Sequence, residues 1–204
     1  MGDKNLEEFR GPRGDSSRHL SREAIESGFA ALPPPPKDLG RVTLIVSRGE
    51  ENGVRETPHR VRLTPEEGVP GDAWLRDVPD KPEAQITVMR TDVASLFANG
   101  QPLSLFGDNL LADLDLSAAN LPAGTRLRAG GVLLEVTPEP HTGCRKFRQR
   151  VGHEALRLTA RRELRDQHLR GIYVRVVEPG EVAVGDRIEV LSRGGECPVG
   201  VSSS

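Results

Sequence analysis

From Arg41 to Leu191 the chain is a succession of short segments in which apolar and polar residues alternate, most of them closed by a glycine- or proline-bearing turn. Short strands of this kind cannot form a wide open sheet, so each must bury one face by curling round a shared interior. The candidate strands carry Val42, Leu44 and Val46; Val61 and Leu63 between His59 and Thr64; then Gln85 to Arg90, 125–129, 132–137, Ile172–Val177 and Arg187–Leu191. Glu50-Glu51-Asn52-Gly53 supplies hairpin chemistry between the first two, and Gly130-Gly131 between 125–129 and 132–137. Gly68-Val69-Pro70-Gly71-Asp72 and Glu178-Pro179-Gly180 are further turns. Two helices interrupt the pattern. Thr91 or Asp92 caps one that carries Val93, Leu96 and Phe97 and ends at Asn99-Gly100, and Leu156, Ala160 and Leu164 mark an amphipathic helix over 153–169. The expected fold is mostly β, a β-rich α+β chain forming a curled sheet or β-barrel with a few short helices.

The ends differ from this body. Residues 1–20 are polar and charged, and 194–204 are low in apolar content, so neither offers a core the surface that would repay its ordering; both are expected to be disordered or flexible. Residues 21–40 read as a short helix capped by Ser21, with Ile25, Phe29 and Leu32 at helical spacing, then a stiff connector at Pro33–Pro36. That leaves 41–193 as the folded domain. With 204 residues, one core is expected, and with aromatics at 3% it must be built from Val, Leu and Ala.

A net charge of −2 gives no global field for a polyanion or an acidic membrane, so any anion site must be local. Nucleic acid is not an expected partner: the basic stretch from Arg145 to Arg175 holds only Phe147 and Tyr173 for stacking. There is no apolar leader and no run of membrane-spanning length, and the two cysteines, Cys144 and Cys197, form no disulfide framework. A cytoplasmic protein is the expectation.

Chemistry concentrates in Pro138-Glu139-Pro140-His141-Thr142-Gly143-Cys144-Arg145-Lys146-Phe147. This loop follows a strand, and its prolines and glycine present Cys144 outside a helix. His141 is near enough in sequence to take a proton, and Arg145, Lys146 and Arg148 are candidates for a phosphate. A lone cysteine is more often a buried small hydrophobe, and the helical arginines are more often a solvated face. The turns Gly71-Asp72 and Gly107-Asp108-Asn109-Leu110 can expose N–H groups to an anion, although each alone is ordinary turn chemistry. The five histidines show no metal-ligand spacing.

Taken in order, Gly71-Asp72, Phe106-Gly107-Asp108-Asn109-Leu110, Leu134-Glu135-Val136 leading into Pro140–Phe147, Gly171–Val177 and Val184-Gly185-Asp186 resemble the MOSC domain, named after the C-terminal domain of molybdenum cofactor sulfurases. The resemblance runs from about Arg41 to Leu191. It implies a barrel-like fold, a molybdenum (molybdopterin) cofactor and a single reactive cysteine at Cys144 that carries sulfur or ligates the metal. It also implies kinship with reductases of N-hydroxylated compounds and with standalone bacterial members of the family. Asp108 stands where Glu is common and Trp74 where many members have His. The sulfurases' pyridoxal phosphate domain has no counterpart here.

On this resemblance Cys144 is the metal ligand and, with His141, the catalytic pair. Arg145 and Lys146 hold the pterin phosphate, while Asp72, Asp108 and Asn109 line the pocket. The implied partners are a small-molecule substrate and a separate electron-transfer or sulfur-donor protein, since the chain has neither ferredoxin cysteines nor a dinucleotide-binding glycine loop. The alternatives are a persulfide carrier or cofactor-storage module without turnover, and a simple thiol redox sensor.

Overall fold

The computed structural model describes residues 11–49 and 54–195. Five α-helices are present among them: α1 (Arg22–Ala30), α2 (Ala73–Asp77), α3 (Thr91–Ala98), α4 (Arg145–Val151) and α5 (His153–Thr159). The strands are β1 (Leu39–Ile45), β2 (Ser47–Arg48), β3 (Arg55–Glu56), β4 (Arg60–Leu63), β5 (Ile86–Arg90), β6 (Leu110–Ala112), β7 (Arg126–Ala129), β8 (Val132–Val136), β9 (Ile172–Glu178), β10 (Gly180–Ala183) and β11 (Arg187–Ser192).

Seven strands close into a barrel in the order β1-β11-β7-β8-β9-β5-β6, and β6 pairs back to β1. Neighbours are antiparallel except β5 and β6, which run parallel with Val88 opposite Leu110. A parallel pair needs a crossover, and α3 supplies it. The interior is packed by Val, Ile, Leu and Ala, among them Ile86, Val88, Leu110, Leu134, Val174 and Ile188, with no aromatic residue among the described residues.

A second core lies outside the barrel wall, where Met89 of β5 and Leu111 of β6 point outward under α1, α3, α4 and α5. These two strands are therefore buried on both faces, and Ile86-Thr87-Val88-Met89 reads as an almost unbroken buried run. Phe97, Phe106 and Phe147 meet here, with Phe147 6.0 Å from each of the other two rings. The few aromatics thus fasten the helices to the barrel, at about 0.5–1.5 kcal/mol per pair beyond the area they bury.

The β5–β6 seam is locked by a buried amide. Asn109 Oδ1 accepts from both the backbone N and Oγ1 of Thr87 at 3.1 Å, and Asn109 Nδ2 donates to Val46 O at 3.3 Å. The backbone completes the tie: Asn109 N donates to Thr87 Oγ1 at 2.9 Å, and Val46 N donates to Asn109 O at 2.8 Å.

The hairpin β7–β8 turns on Gly130, and α1 is capped by Ser21, as the sequence predicts. Other expectations change. β4 does not pair with β1; it leaves the barrel wall to pair with β10, while β2 and β3 form the hairpin flanking 50–53, itself outside the described residues. The single helix expected over 153–169 is α5 followed by a 3-10 segment, Arg162–Gln167. Arg161 is extended between them and its guanidinium pairs with Glu26 of α1, so the chain bends and returns Leu164 and Leu169 to the outer core.

Residues 11–20, expected to be loose, follow the protein surface. Asp15 N donates to Gln101 Oε1 at 2.6 Å, Asn99 Nδ2 donates to Arg18 O at 3.0 Å, and Leu20 packs on the outer core. Sequence composition misses this because the partners are polar groups of other segments. The expected tail splits at its start: Gly194 N donates to Thr125 Oγ1 at 3.1 Å, while 196–204, with Cys197, lie outside the described residues, as do 1–10.

Asn109→Ala is expected to destabilise the protein by about 2–4 kcal/mol in urea unfolding, because Thr87 N and Val46 O lose partners that no water can replace. Removal of residues 1–20 is expected to lower the melting temperature by roughly 3–6 °C, consistent with about 1–2 kcal/mol for the burial of Leu20 and its neighbours.

Candidate functional site

The β2–β3 hairpin, α2, the 106–108 turn, the 141–144 loop and the start of β9 enclose a cavity of about 310 Å³. Six basic side chains line it, Arg48, Arg55, Arg76, Lys146, Arg150 and Arg170, against two carboxylates, Asp77 and Asp108. Thr87, His141, Thr142, Cys144 and Tyr173 complete the polar wall.

Four of these cations are held from behind. Arg48 forms a bidentate pair with Asp72, whose carboxylate is fully enclosed and also accepts from Arg48 N at 2.7 Å and Trp74 N at 3.1 Å. Burial opposes the charge on both groups, but the pairing outweighs it: Asp72 is held below the usual carboxylate range and the Arg48 guanidinium is raised. Arg170 donates through Nη1 to both oxygens of Asp108 at 2.8 Å and lies 5.0 Å from the centre of the Phe147 ring. Arg150, on α4, turns inward and donates to Phe106 O at 2.6 Å and to Pro12 O at 3.4 Å. Arg76 is committed to the carbonyls of Gly71, Arg48 and Gly49 at 2.8–3.0 Å.

Arg55 differs. Its guanidinium rests on the backbone of Gly107, whose φ of 72° and bare Cα leave the space; a Cβ there would come within 2.7 Å of Arg55 Nη2. Its Nε is buried without a hydrogen bond. Burial, followed by repulsion from Arg150 and Arg48, brings this guanidinium down to about 10. Burial and Arg170 likewise lower Arg150. The protein holds like charges together here, an arrangement that an anion would relieve.

Cys144 is exposed and occupies the N-cap of α4, where its carbonyl accepts from Arg148 N at 3.1 Å. The sequence places it in a loop, and α4 itself is missed because only Phe147 and Val151 mark its apolar face among basic residues. Helical spacing then decides which cations reach the cavity: Lys146 and Arg150, four apart, line it, whereas Arg145 and Arg148 do not.

Asp108, His141, Cys144 and Lys146 are brought together as expected. Asp72 and Asn109 are not part of the lining. Both lie behind it, with Asp72 spent on Arg48 and Asn109 on the barrel seam. Trp74 is a buried α2 residue whose indole donates to Lys81 O at 3.0 Å. Arg48, Arg55, Arg76, Arg150 and Arg170 are the lining cations that sequence reasoning misses; of these Arg150 carried a signal, its helical spacing from Lys146. Among the described residues no three His, Cys, Asp or Glu side chains gather to hold a metal alone, and no helix is long and apolar enough to cross a membrane.

His141 packs on Tyr173 at 4.5 Å, with Nδ1 3.8 Å from Asp108 Oδ1 and unbonded. Burial first, then Arg170, hold its pKa at about 3, so at neutral pH it is an uncharged imidazole and no ion pair forms with Asp108. It can orient a ligand by a hydrogen bond but is not a protonated acid at neutral pH. In the unfolded chain this ring binds its proton near pH 6.5, so between 6.5 and 3 the unfolded state carries more protons. Stability is therefore expected to fall as pH drops below 6.5, by about 1.4 kcal/mol per unit at the steepest. Asp72 and Asp108 contribute loss only at still lower pH, below the ordinary carboxylate value of 3.8. His141→Gln should flatten urea-unfolding stability between pH 6 and 4.

The sequence profile of the MOSC domain matches residues 80–189. Among solved structures, YuaD from Bacillus subtilis superposes with a TM-score of 0.54 at 18% identity, over 74% of this chain and 95% of that one. YiiM from Geobacillus stearothermophilus gives 0.51 at 16% identity, over 76% of this chain and 77% of that one. No curated protein matches the chain. Identities this low speak for a shared fold, which is the closed barrel described above. With more than half of its length matched by the family's profile, this chain belongs to the MOSC domain family.

Proposed function

We propose that the basic cavity binds the phosphate-bearing pterin of a molybdenum cofactor, with Cys144 at the rim as its thiolate ligand, and that the protein is an oxidoreductase acting on N-hydroxylated compounds. The observation that carries the reading is the packing of Arg55, Arg150 and Arg48 beside an exposed thiol, with Arg55 Nε buried and unsatisfied. A buried guanidinium nitrogen without a partner costs stability unless a ligand completes it, and guanidinium forks match phosphate oxygens. The residues present therefore fit the anionic part of such a group, and a soft thiolate fits its metal.

When bound, the cofactor supplies the two-electron chemistry. The chain's own residues position it. Arg55, Arg150 and Lys146 would hold the phosphate; Arg170, fixed by Asp108 and Phe147, and neutral His141 would orient what lies between phosphate and Cys144. Asp72 and Asn109 support this set without touching the ligand. Reduction of an N–OH group takes two electrons and two protons and releases an amine-type product and water, so a separate electron-transfer protein is part of the reading. The exposure of Cys144 favours one alternative, a persulfide carrier, because a partner protein's sulfur donor could reach the thiol.

Protein made in a cofactor-producing host should hold near-stoichiometric molybdenum by mass spectrometry of the metal. Cys144→Ser should lower that content tenfold or more with an unchanged melting temperature, and Arg55→Gln should lower it while leaving the thiol reactive. A wild type that carries persulfide at Cys144 but no molybdenum would sink the oxidoreductase reading in favour of the carrier.

A further inference from the structure

A second, larger cavity of about 750 Å³ adjoins the first. Its apolar lining is Leu121, Val136, Leu156, Leu169 and Ile172, four of them almost wholly buried. The charges around it are already balanced. Arg161 pairs with Glu26, Arg170 with Asp108, and Arg165 shares the rim with Glu139 and Asp166. A charged guest would lose hydration against this surface with no uncompensated counter-charge to meet it. The volume falls within the range of about 300–1,000 Å³ usual for small-molecule sites.

Three residues line both cavities: His141, Thr142 and Arg170. The two spaces therefore share one thin partition. His141 is 8% exposed, is packed on Tyr173, and keeps a ring nitrogen without a hydrogen-bond partner; Arg170 Nε is in the same condition. A polar atom buried in this way costs about 1–3 kcal/mol unless a ligand completes it.

The geometry points to the larger cavity as a binding site for a neutral, largely apolar small molecule whose hydrogen-bonding end meets His141 and Thr142 at the partition. Its role as the substrate side of a cofactor site rests on the function proposed above; its capacity to bind such a molecule does not. In that arrangement the apolar body of the guest fills the space between α5 and the end of β8, and the polar end is presented toward the arginine cavity.

N-phenyl-1-naphthylamine, a neutral dye that fluoresces in apolar surroundings, tests the assignment, with inorganic phosphate as the probe of the arginine cavity. The wild type should bind the dye at one saturable site. Ala160→Trp, at an exposed position on the cavity rim, should weaken dye binding tenfold or more and leave phosphate binding within twofold. Arg55→Gln should do the reverse. Ala123→Trp, also exposed on the rim, serves as a second blocking variant should the first fail to fold. Absence of saturable dye binding by the wild type, or undiminished binding by folded Trp variants, overturns the assignment. Dye binding without phosphate binding upholds this site and removes the anion reading instead; phosphate binding without dye binding overturns this one alone.

Discussion

The structure depends on the buried amide of Asn109. Barrel closure requires β6 to lie parallel to β5 on one side and antiparallel to β1 on the other, and Asn109 holds both neighbours just before β6 begins. No other residue type offers an acceptor and a donor at this reach without a charge. The consequence extends to chemistry because the same turn serves the cavity. Phe106 gives its carbonyl to Arg150, Gly107 makes room for Arg55, and Asp108 anchors Arg170. Four consecutive residues thus fix the barrel seam at one end and three of the site's cations at the other.

Electrostatics in this molecule divides into two kinds. Arg48 with Asp72, and Arg170 with Asp108, are compensated pairs that set positions. Arg55 differs from these pairs: its Nε is buried without a hydrogen bond, and burial with the neighbouring guanidinium groups of Arg150 and Arg48 lowers its pKa. Under the function proposed above such a site is preorganised: the cost of burying that guanidinium is met during folding, so it need not be met at binding. Neutral His141 belongs with this group, since burial beside Arg170 denies it a proton.

The strands that alternate cleanly are legible in the sequence, as β7 and β9 show, because a half-buried strand writes its burial into a period of two. Pairing partners are not legible. Nothing in Arg60–Leu63 marks it for β10 in place of β1, and that choice arises only once the barrel closes. Cys144, Lys146, His141 and Asp108 could be gathered because they sit in or beside recognisable motifs. Arg48 and Arg55 could not, since a hairpin of two-residue strands sets Arg48 on Asp72 and Arg55 on Gly107, and their neighbours in sequence leave no trace of it. Asp72 and Asn109 show the converse: motif residues whose importance is real but whose task is to brace.

The adjacency of β1 and β11 sets the order in which the molecule can assemble. Leu39 lies opposite Glu189, so the first barrel strand finds one of its two neighbours only when nearly the whole domain has been made. Until then β1 and β7 each present an open edge, and the interior apolar residues have no lid. Contacts of such long range make closure slow relative to the formation of α3 or the β7–β8 hairpin, which are local. Before β11 emerges from the ribosome the domain would therefore be open and strand-edged, and the arrival of β11, more than any local step, would be the event that completes the fold.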